Sequence, residues 1–233
     1  MGTSTIIMDE RAALIRLFSW LSPAFPIGGF AYSQGLETAI AEGRVKDSGQ
    51  LAEWISGQIH CGSLHTDAYF LAIAARAVTS GDWETLAEAN SLCLALQMSS
   101  ERDKETREQA KSFLEAASAW PTVTPNELNA AFERPMALPI AFGAKAGLQG
   151  VSPEAGVAGY ANSVVAQQIS VGVRLIPLGQ TAGLVILASL EAKIAQLSTE
   201  ALSAQLDDIS SLSYGTDIAS LRHEDLNVRI FRS

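Results

Sequence analysis

Residues 152–197 read SPEAGVAGYANSVVAQQISVGVRLIPLGQTAGLVILASLEAKIAQL. Apolar residues recur here at the three- and four-residue spacing of a helix, with few charges to interrupt them. The stretch predicts two long helices, over residues 157–175 and 178–197, that are joined at Pro177 and form a buried helical hairpin. Its polar and proline residues leave no run of about 20 apolar residues, so we expect no membrane span.

The same helical spacing recurs in the rest of the chain, whereas the alternating runs typical of strands are missing. Residues 67–78 are apolar almost all round, which predicts a central, buried helix. A first helix is predicted over residues 9–21, because the Ser22-Pro23 step disfavours helical backbone. Asp47 and Asp82 are typical N-caps for two further helices.

These patterns predict an all-α, single-domain bundle of about eight to ten helices over residues 1–206, with a short last helix over residues 199–206. From residue 207 the apolar pattern fades. Residues 207–233 are therefore predicted to be a polar C-terminal tail that is loosely held in the free protein and orders on a partner.

Composition narrows the class of protein. The 233 residues are 48% hydrophobic and carry a net charge of −9, which suits one large domain and repels phosphate backbones, so we expect no nucleic-acid partner. The two cysteines, Cys61 and Cys93, form no CxxC pair. The N-terminus lacks the basic start and cleavage site of a signal peptide, and we expect a cytoplasmic protein.

Motifs for nucleotides are missing from the sequence. No G-x-x-x-x-G-K-[ST] loop occurs, and the segment from Gly143 to Gly147 has neither the spacing nor the hydroxyl that phosphate binding needs. No G-x-G-x-x-G follows a strand. We therefore expect no bound cofactor and no GTP binding by this chain itself.

Two other functions can be argued from single residues. Ser33, in AYSQG, resembles a nucleophile elbow, and Asp217 and His223 would complete a Ser, Asp, His order, but the preceding PAFPIGGF cannot form the buried strand an elbow needs. Cys61 and His65 lie four residues apart on a predicted helix, with His60 and Asp67 close by, which would suit a nickel carrier, although no fourth ligand is evident.

Three segments together resemble the UreF family of urease accessory proteins. SPAFPIGGFAYSQGLE at residues 22–37 is similar to the family's first signature, and VRLIPLGQTAG at 173–183 to its second. DIASLRHEDLNVRIFRS at 217–233 is similar to the family's ending, with Leu221 where methionine is usual and Ile230 where leucine is usual. The middle of the chain is similar to the family only in its helical spacing of apolar residues.

The resemblance implies a UreF-like helical homodimer with no catalytic activity of its own. Such a protein binds the scaffold UreD, also called UreH, and recruits the GTPase UreG. The assembly docks on apo-urease and couples GTP hydrolysis to nickel insertion. Whether the chain acts as a GTPase activator, a gatekeeper of UreG or a nickel conduit stays open.

Candidate partner-binding residues follow from the signatures. Tyr32 is either a core ring or an interface anchor, and Arg174, within an apolar helix, is expected to form an ion pair in the fold or a dimer contact. Ile230 and Phe231 are predicted apolar anchors of the tail, with arginines that pair with carboxylates. The full predicted set is Tyr32, Gln34, Arg174, Arg222, His223, Glu224, Arg229, Ile230, Phe231 and Arg232.

Overall fold

A computed structural model describes residues 10–122 and 124–233. The α-helices are α1 (Glu10–Trp20), α2 (Leu36–Ala41), α3 (Ser48–Cys61), α4 (Ser63–Ser80), α5 (Trp83–Ala95), α6 (Ser100–Ala117), α7 (Asn126–Phe132), α8 (Leu138–Leu148), α9 (Pro153–Leu175), α10 (Gln180–Glu200) and α11 (Tyr214–Arg222). No strand occurs in the described ranges, so the all-α prediction is confirmed. The described residues form eleven α-helices, and ten of them lie within residues 1–206, in agreement with the predicted eight to ten.

Helix α4 lies at the centre of the fold, as its apolar sequence predicts, and packs most closely against α8. A Cβ atom on Gly143 would lie 2.3 Å from the carbonyl oxygen of Leu71, and one on Gly147 would lie 2.7 Å from that of Ala75. The two helix backbones are therefore in direct contact, which only glycine permits. Gly143 and Gly147, which lack the spacing of a phosphate-binding loop, therefore serve to let α8 pack against α4.

Helix starts follow the capping residues seen in the sequence. The Asp47 carboxylate accepts the N–H of Gln50 at 2.9 Å, and Asp82 accepts that of Thr85 at 3.0 Å. Ser152 caps α9 through the N–H of Ala155 at 3.2 Å. The N-cap predictions for Asp47 and Asp82 are confirmed.

The predicted hairpin is present as α9 and α10, but only one side of α10 is buried. Leu184 is 66% exposed and Val185 is 64% exposed. Gln180–Ser203, with mean hydropathy 1.2, is long and apolar enough to cross a bilayer, and 33% of it is buried in the fold. One such helix is a weak indication of a membrane, because core helices of soluble proteins have the same length and composition.

The ends of the chain differ in part from the predictions. Helix α1 begins at Glu10, and residues 1–9, which include the start of the predicted first helix and most of the segment tested for a signal peptide, lie outside the described residues. In place of a helix over residues 199–206, the chain forms 3₁₀ turns at Ala201–Ser203 and Leu206–Asp208.

The C-terminal segment, residues 207–233, folds back onto the helical domain instead of lying loosely beside it. Helix α11 packs against α2, and His223 and Ser233 are fully buried. Phe231 is only 5% exposed and belongs to the main hydrophobic core. The expectation of a loosely held tail is wrong here, because polar contacts to distant helices, rather than a helical stripe of its own, fix the segment.

Candidate partner-binding surface

The first signature segment ends in left-handed backbone that allows close helix packing. Gln34 has φ 56° and Gly35 has φ 80°. A Cβ atom on Gly35 would lie 2.9 Å from the backbone nitrogen of Ser220 and 3.2 Å from the Cβ of Ala219. Helix α11 therefore rests directly on Gly35, and this contact joins the first and third signature segments.

Ser33 holds the end of the C-terminal segment. Its backbone N–H donates to the carbonyl oxygen of Ser233 at 2.8 Å, and its Oγ also donates to that oxygen. Arg232 donates its backbone N–H to the carbonyl oxygen of Ala31 at 2.7 Å. Residues 31–33 and 232–233 thus pair like two short strand ends, although neither forms a regular strand.

His223 connects three parts of the chain through carboxylates. Its Nε2 lies 3.0 Å from Glu37 on α2, and its Nδ1 lies 2.7 Å from Glu101 on α6. Glu37 also accepts the backbone N–H groups of Ile230 at 2.8 Å and Phe231 at 3.1 Å. A buried carboxylate needs such donors, so Glu37 and the tail each satisfy the other's polar groups.

Tyr32 faces a second acidic group on α6. Its hydroxyl donates to Glu108 at 2.9 Å, and the guanidinium of Arg232 lies 5.6 Å from the centre of its ring. Burial, and then the bond to Glu108, raises the pKa of Tyr32 to about 12. The ring itself is 4% exposed, so its role as a core ring is favoured over that of a free anchor.

Glu105 is the buried acid at the centre of this surface. It accepts a hydrogen bond from the Gln34 amide at 3.1 Å and one from the Ser233 hydroxyl at 2.8 Å, and it forms an ion pair with Arg102. Glu105 is 1% exposed. One carboxylate therefore joins the first signature segment, α6 and the end of the C-terminal segment.

Helix α9 supports the same surface from below. The Gln167 amide donates to the carbonyl oxygens of Gly29 at 2.6 Å and Tyr32 at 3.1 Å, and Gln168 donates to that of Ser33 at 3.0 Å. Arg174 stacks on Phe231, with 5.9 Å from its guanidinium to the ring centre. The described residues give Arg174 this cation–π contact and no ion pair, and the alternative of a dimer contact stays a prediction.

The predicted residues thus lie together, but they divide into a buried group and an exposed group. Tyr32, His223 and Phe231 are buried, which corrects the prediction that Phe231 is an anchor available on the free protein. Ile230 is 67% exposed, and the side chains of Arg222, Arg229 and Arg232 are 61%, 42% and 56% exposed. Glu224 is exposed and accepts a hydrogen bond from Ser100.

Sequence reasoning missed the acids that hold the C-terminal segment, which are Glu37, Glu101, Glu105 and Glu108. The last three lie on α6, whose sequence is rich in charged residues of both signs, so the sequence does not distinguish a carboxylate that binds the tail from one that faces solvent. Gln167 and Gln168 gave a usable signal, because paired amides in an apolar helix need buried partners.

The hydrolase alternative is not supported by the geometry. Ser33 is fully buried and its hydroxyl is bound to Ser233. His223 contacts Glu37 and Glu101, while Asp217 accepts from the Ser213 hydroxyl at 3.3 Å. Within the described residues the three members of the suggested order therefore do not form a hydrogen-bonded relay.

The geometry also does not support the nickel-carrier alternative, because the described residues form no metal site around Cys61 and His65. The Cys61 thiol donates to the carbonyl oxygen of Gly57, and the His65 ring stacks on Tyr69 with 4.3 Å between centres. Burial lowers the pKa of His65. The part of the chain that the structure describes contains no group of three or more His, Cys, Asp or Glu side chains arranged for a metal ion.

Comparison with known proteins gives the family. The UreF family model matches residues 45–191, more than half of the chain. The chain belongs to the UreF family of urease accessory proteins. It is 42% identical over 225 residues to urease accessory protein UreF of Bradyrhizobium diazoefficiens, with 96% of this chain and 93% of that protein covered.

Two further UreF relatives match over nearly their whole length. The protein from Rhizobium leguminosarum bv. viciae is 45% identical over 96% of this chain and 98% of its own length. That from Allorhizobium ampelinum is 42% identical over 98% of this chain and 100% of its own length. The first and last signature segments lie outside the family-model match, so the alignments that cover 96–98% of the chain extend the UreF likeness beyond it.

Proposed function

We propose that this UreF-family chain is a non-catalytic adaptor that binds UreD/UreH and the GTPase UreG and takes part in GTP-dependent nickel insertion into apo-urease. In this proposal the chain works in the cytoplasm and holds no cofactor of its own. Nickel and GTP are handled by the complex. The family membership supports an accessory role, and the geometry supports a binding surface.

The observation that carries the proposal is the arrangement of the C-terminal segment on the first signature segment. Glu37 binds backbone N–H groups of the segment, and Glu101 and Glu105 bind the His223 ring and the Ser233 hydroxyl, so the outward side chains are preorganised. Those outward side chains combine apolar area with guanidinium groups, since Val228 is 81% exposed and Ile230 67% exposed beside Arg229 and Arg232. Arginine beside apolar side chains is typical of binding hot spots.

The packing of the residues that resemble catalytic or nucleotide-binding motifs also favours an adaptor over an enzyme. The only serine that resembled a nucleophile, Ser33, is occupied by the chain's own terminus. The glycines nearest to a phosphate-binding pattern, Gly143 and Gly147, are pressed against α4. Ser33 and Gly143 are buried, so neither offers a surface on which a substrate or nucleotide could bind.

A homodimer is the second part of the proposal. An apolar groove of about 570 Å³ lies between the end of α1, the loop after it and α9, and no residue that lines it is charged. Phe18, 68% exposed, and Phe30, 50% exposed, stand beside the small residues Gly159 and Ala166. A protruding ring and a shallow groove on the same face suit an isologous contact between two copies of the chain. Because each copy has a net charge of −9, the copies repel each other unless they meet through an uncharged surface.

The test is co-purification from cells that express the urease cluster with a tagged copy of this chain. We expect UreD/UreH and UreG to be recovered with the wild-type chain and lost with Ile230→Asp. The matched control is Val185→Asp, which places the same charge on an equally exposed apolar position of α10. Failure of the wild-type chain to recover UreD/UreH would refute the proposal.

A further inference from the structure

A cavity lies between α11, the first half of α4 and the connection from α5 to α6. Its volume is about 310 Å³. Charged groups, Asp67, Arg102 and Asp217, line it together with apolar side chains. Arg102 pairs with Glu105 of the partner-binding surface described above. Asp67 and Asp217 take no part in that surface.

The cavity has an excess of negative charge. Tyr160 donates to Oδ2 of Asp67 at 3.2 Å, while Oδ1 has no hydrogen bond from any of the described residues. The one cation beside it, Arg102, is already bound to Glu105. The two acids that line the cavity, Asp67 and Asp217, therefore share one lining cation, Arg102, which Glu105 already binds from outside the lining.

This excess is costly in an enclosed space. Burial raises the pKa of Asp67 to about 6, and burial also raises that of Asp217. Both shifts mean that the ionised carboxylates lack sufficient compensation. A cation that entered the cavity would supply it and would lower the pKa of both carboxylates.

The entrance suits a cation with an apolar stem. Leu96, Met98, Ile218 and Leu221 line the cavity and are 43%, 52%, 45% and 48% exposed. Exposed apolar side chains around a charged interior match the aliphatic chain and charged head of arginine or lysine. A bare metal ion fits less well, because no group of three His, Cys, Asp or Glu side chains in the described ranges is arranged to hold one.

Residues 1–9 contain no lysine or arginine side chain that could supply the cation. The net charge of −9 favours approach of a basic partner. We propose that this cavity receives an arginine or lysine side chain from a basic segment of a partner protein, with Asp67 and Asp217 as its counter-charges and the apolar entrance around its stem.

The cavity is tested first with a capped amino acid, independently of the function proposed above. N-acetyl-arginine methylamide is titrated into the full-length chain and followed by NMR of the methyl groups of Leu96, Met98, Ile218 and Leu221. Capped citrulline, which has nearly the same shape without the charge, is the control ligand. We expect shifts at these methyl groups with arginine, none at equal concentration with citrulline, and at least about tenfold weaker binding to Asp67→Asn.

The control variant Glu191→Gln removes an exposed acid from α10 and should bind like wild type. Circular dichroism establishes that both variants are folded. Equal shifts with arginine and citrulline, or equal binding to wild type and Asp67→Asn, would overturn the cation site.

A second measurement tests the partner and rests on the proposed function. UreD/UreH and UreG are co-purified with wild type, Asp67→Asn and Glu191→Gln, and we expect the Asp67 variant alone to recover less. If wild type recovers them and Asp67→Asn recovers as much, the partner assignment is wrong. If wild type recovers neither, the proposed function fails, and the arginine titration alone decides whether the cation site exists.

Discussion

The Nε2 atom of His223 lies 3.0 Å from a carboxylate oxygen of Glu37, across 186 residues of sequence. The two oxygens of Glu37 also accept the backbone N–H groups of Ile230 and Phe231. This one side chain therefore binds the C-terminal segment at three points. The surface proposed to bind UreD/UreH depends on it although Glu37 itself is buried.

Glu37→Ala should destabilise the protein strongly. It leaves Nε2 of His223 and two backbone N–H groups without their partner, while Nδ1 of His223 keeps Glu101. Removal of one member of a buried ionic pair typically costs about 3–5 kcal/mol. Urea unfolding gives the change in the free energy of unfolding. Glu42→Ala, which breaks only exposed pairs with Arg44 and Arg222, is the control and should cost less than about 1 kcal/mol.

Removal of residues 217–233 should lower the melting temperature and expose apolar surface. The truncation deletes most of α11 and the buried Phe231, whose burial alone contributes about 1.5–3 kcal/mol. Thermal unfolding and binding of a hydrophobic dye measure both effects. An unchanged melting temperature would mean that the segment is loosely held, as its sequence pattern first indicated.

Asp67→Asn should stabilise the protein at neutral pH by up to about 3 kcal/mol, and this gain should vanish near pH 4. The pKa of Asp67 rises from 3.8 to about 6 on folding, so the folded chain binds more protons than the unfolded chain between these values. Wild-type stability therefore falls as the pH rises from about 4 to about 6, and the asparagine variant lacks this fall. Urea midpoints at pH 4, 6 and 8 provide the measurement, and parallel profiles would contradict it.

Gly35→Ala should loosen the contact between α2 and α11. The new Cβ would collide with the backbone of Ser220 and would sit at φ 80°, a conformation that costs a non-glycine residue about 1–3 kcal/mol. Gly179→Ala is the matched control, because its φ is −78° and no atom lies within 4 Å of the added Cβ. Hydrogen exchange in α11 should rise in the first variant only.

The helices were predictable because their causes are local. The stripe of residues 67–78 predicts the central helix, and the N-caps Asp47, Asp82 and Ser152 act within four residues. The fold class therefore followed from periodicity and capping.

The surface could be predicted only in part. Its residues were found through the signature segments, but the burial of His223 and Phe231 depends on acids more than 120 residues away in sequence. A helical stripe is the pattern that sequence periodicity detects, and the C-terminal segment is held by hydrogen bonds and single side chains instead. Such long-range polar contacts leave no periodic trace.

The most direct test of the central claim is the nickel content of urease matured in cells whose only UreF is this chain or a variant of it. Ile230→Asp changes an exposed residue, so it should leave the fold intact and lower the nickel per urease active site by at least about tenfold, as expected for a lost hot spot. Val185→Asp should match wild type. Full nickel loading with Ile230→Asp would contradict the assignment of the C-terminal segment as the docking surface.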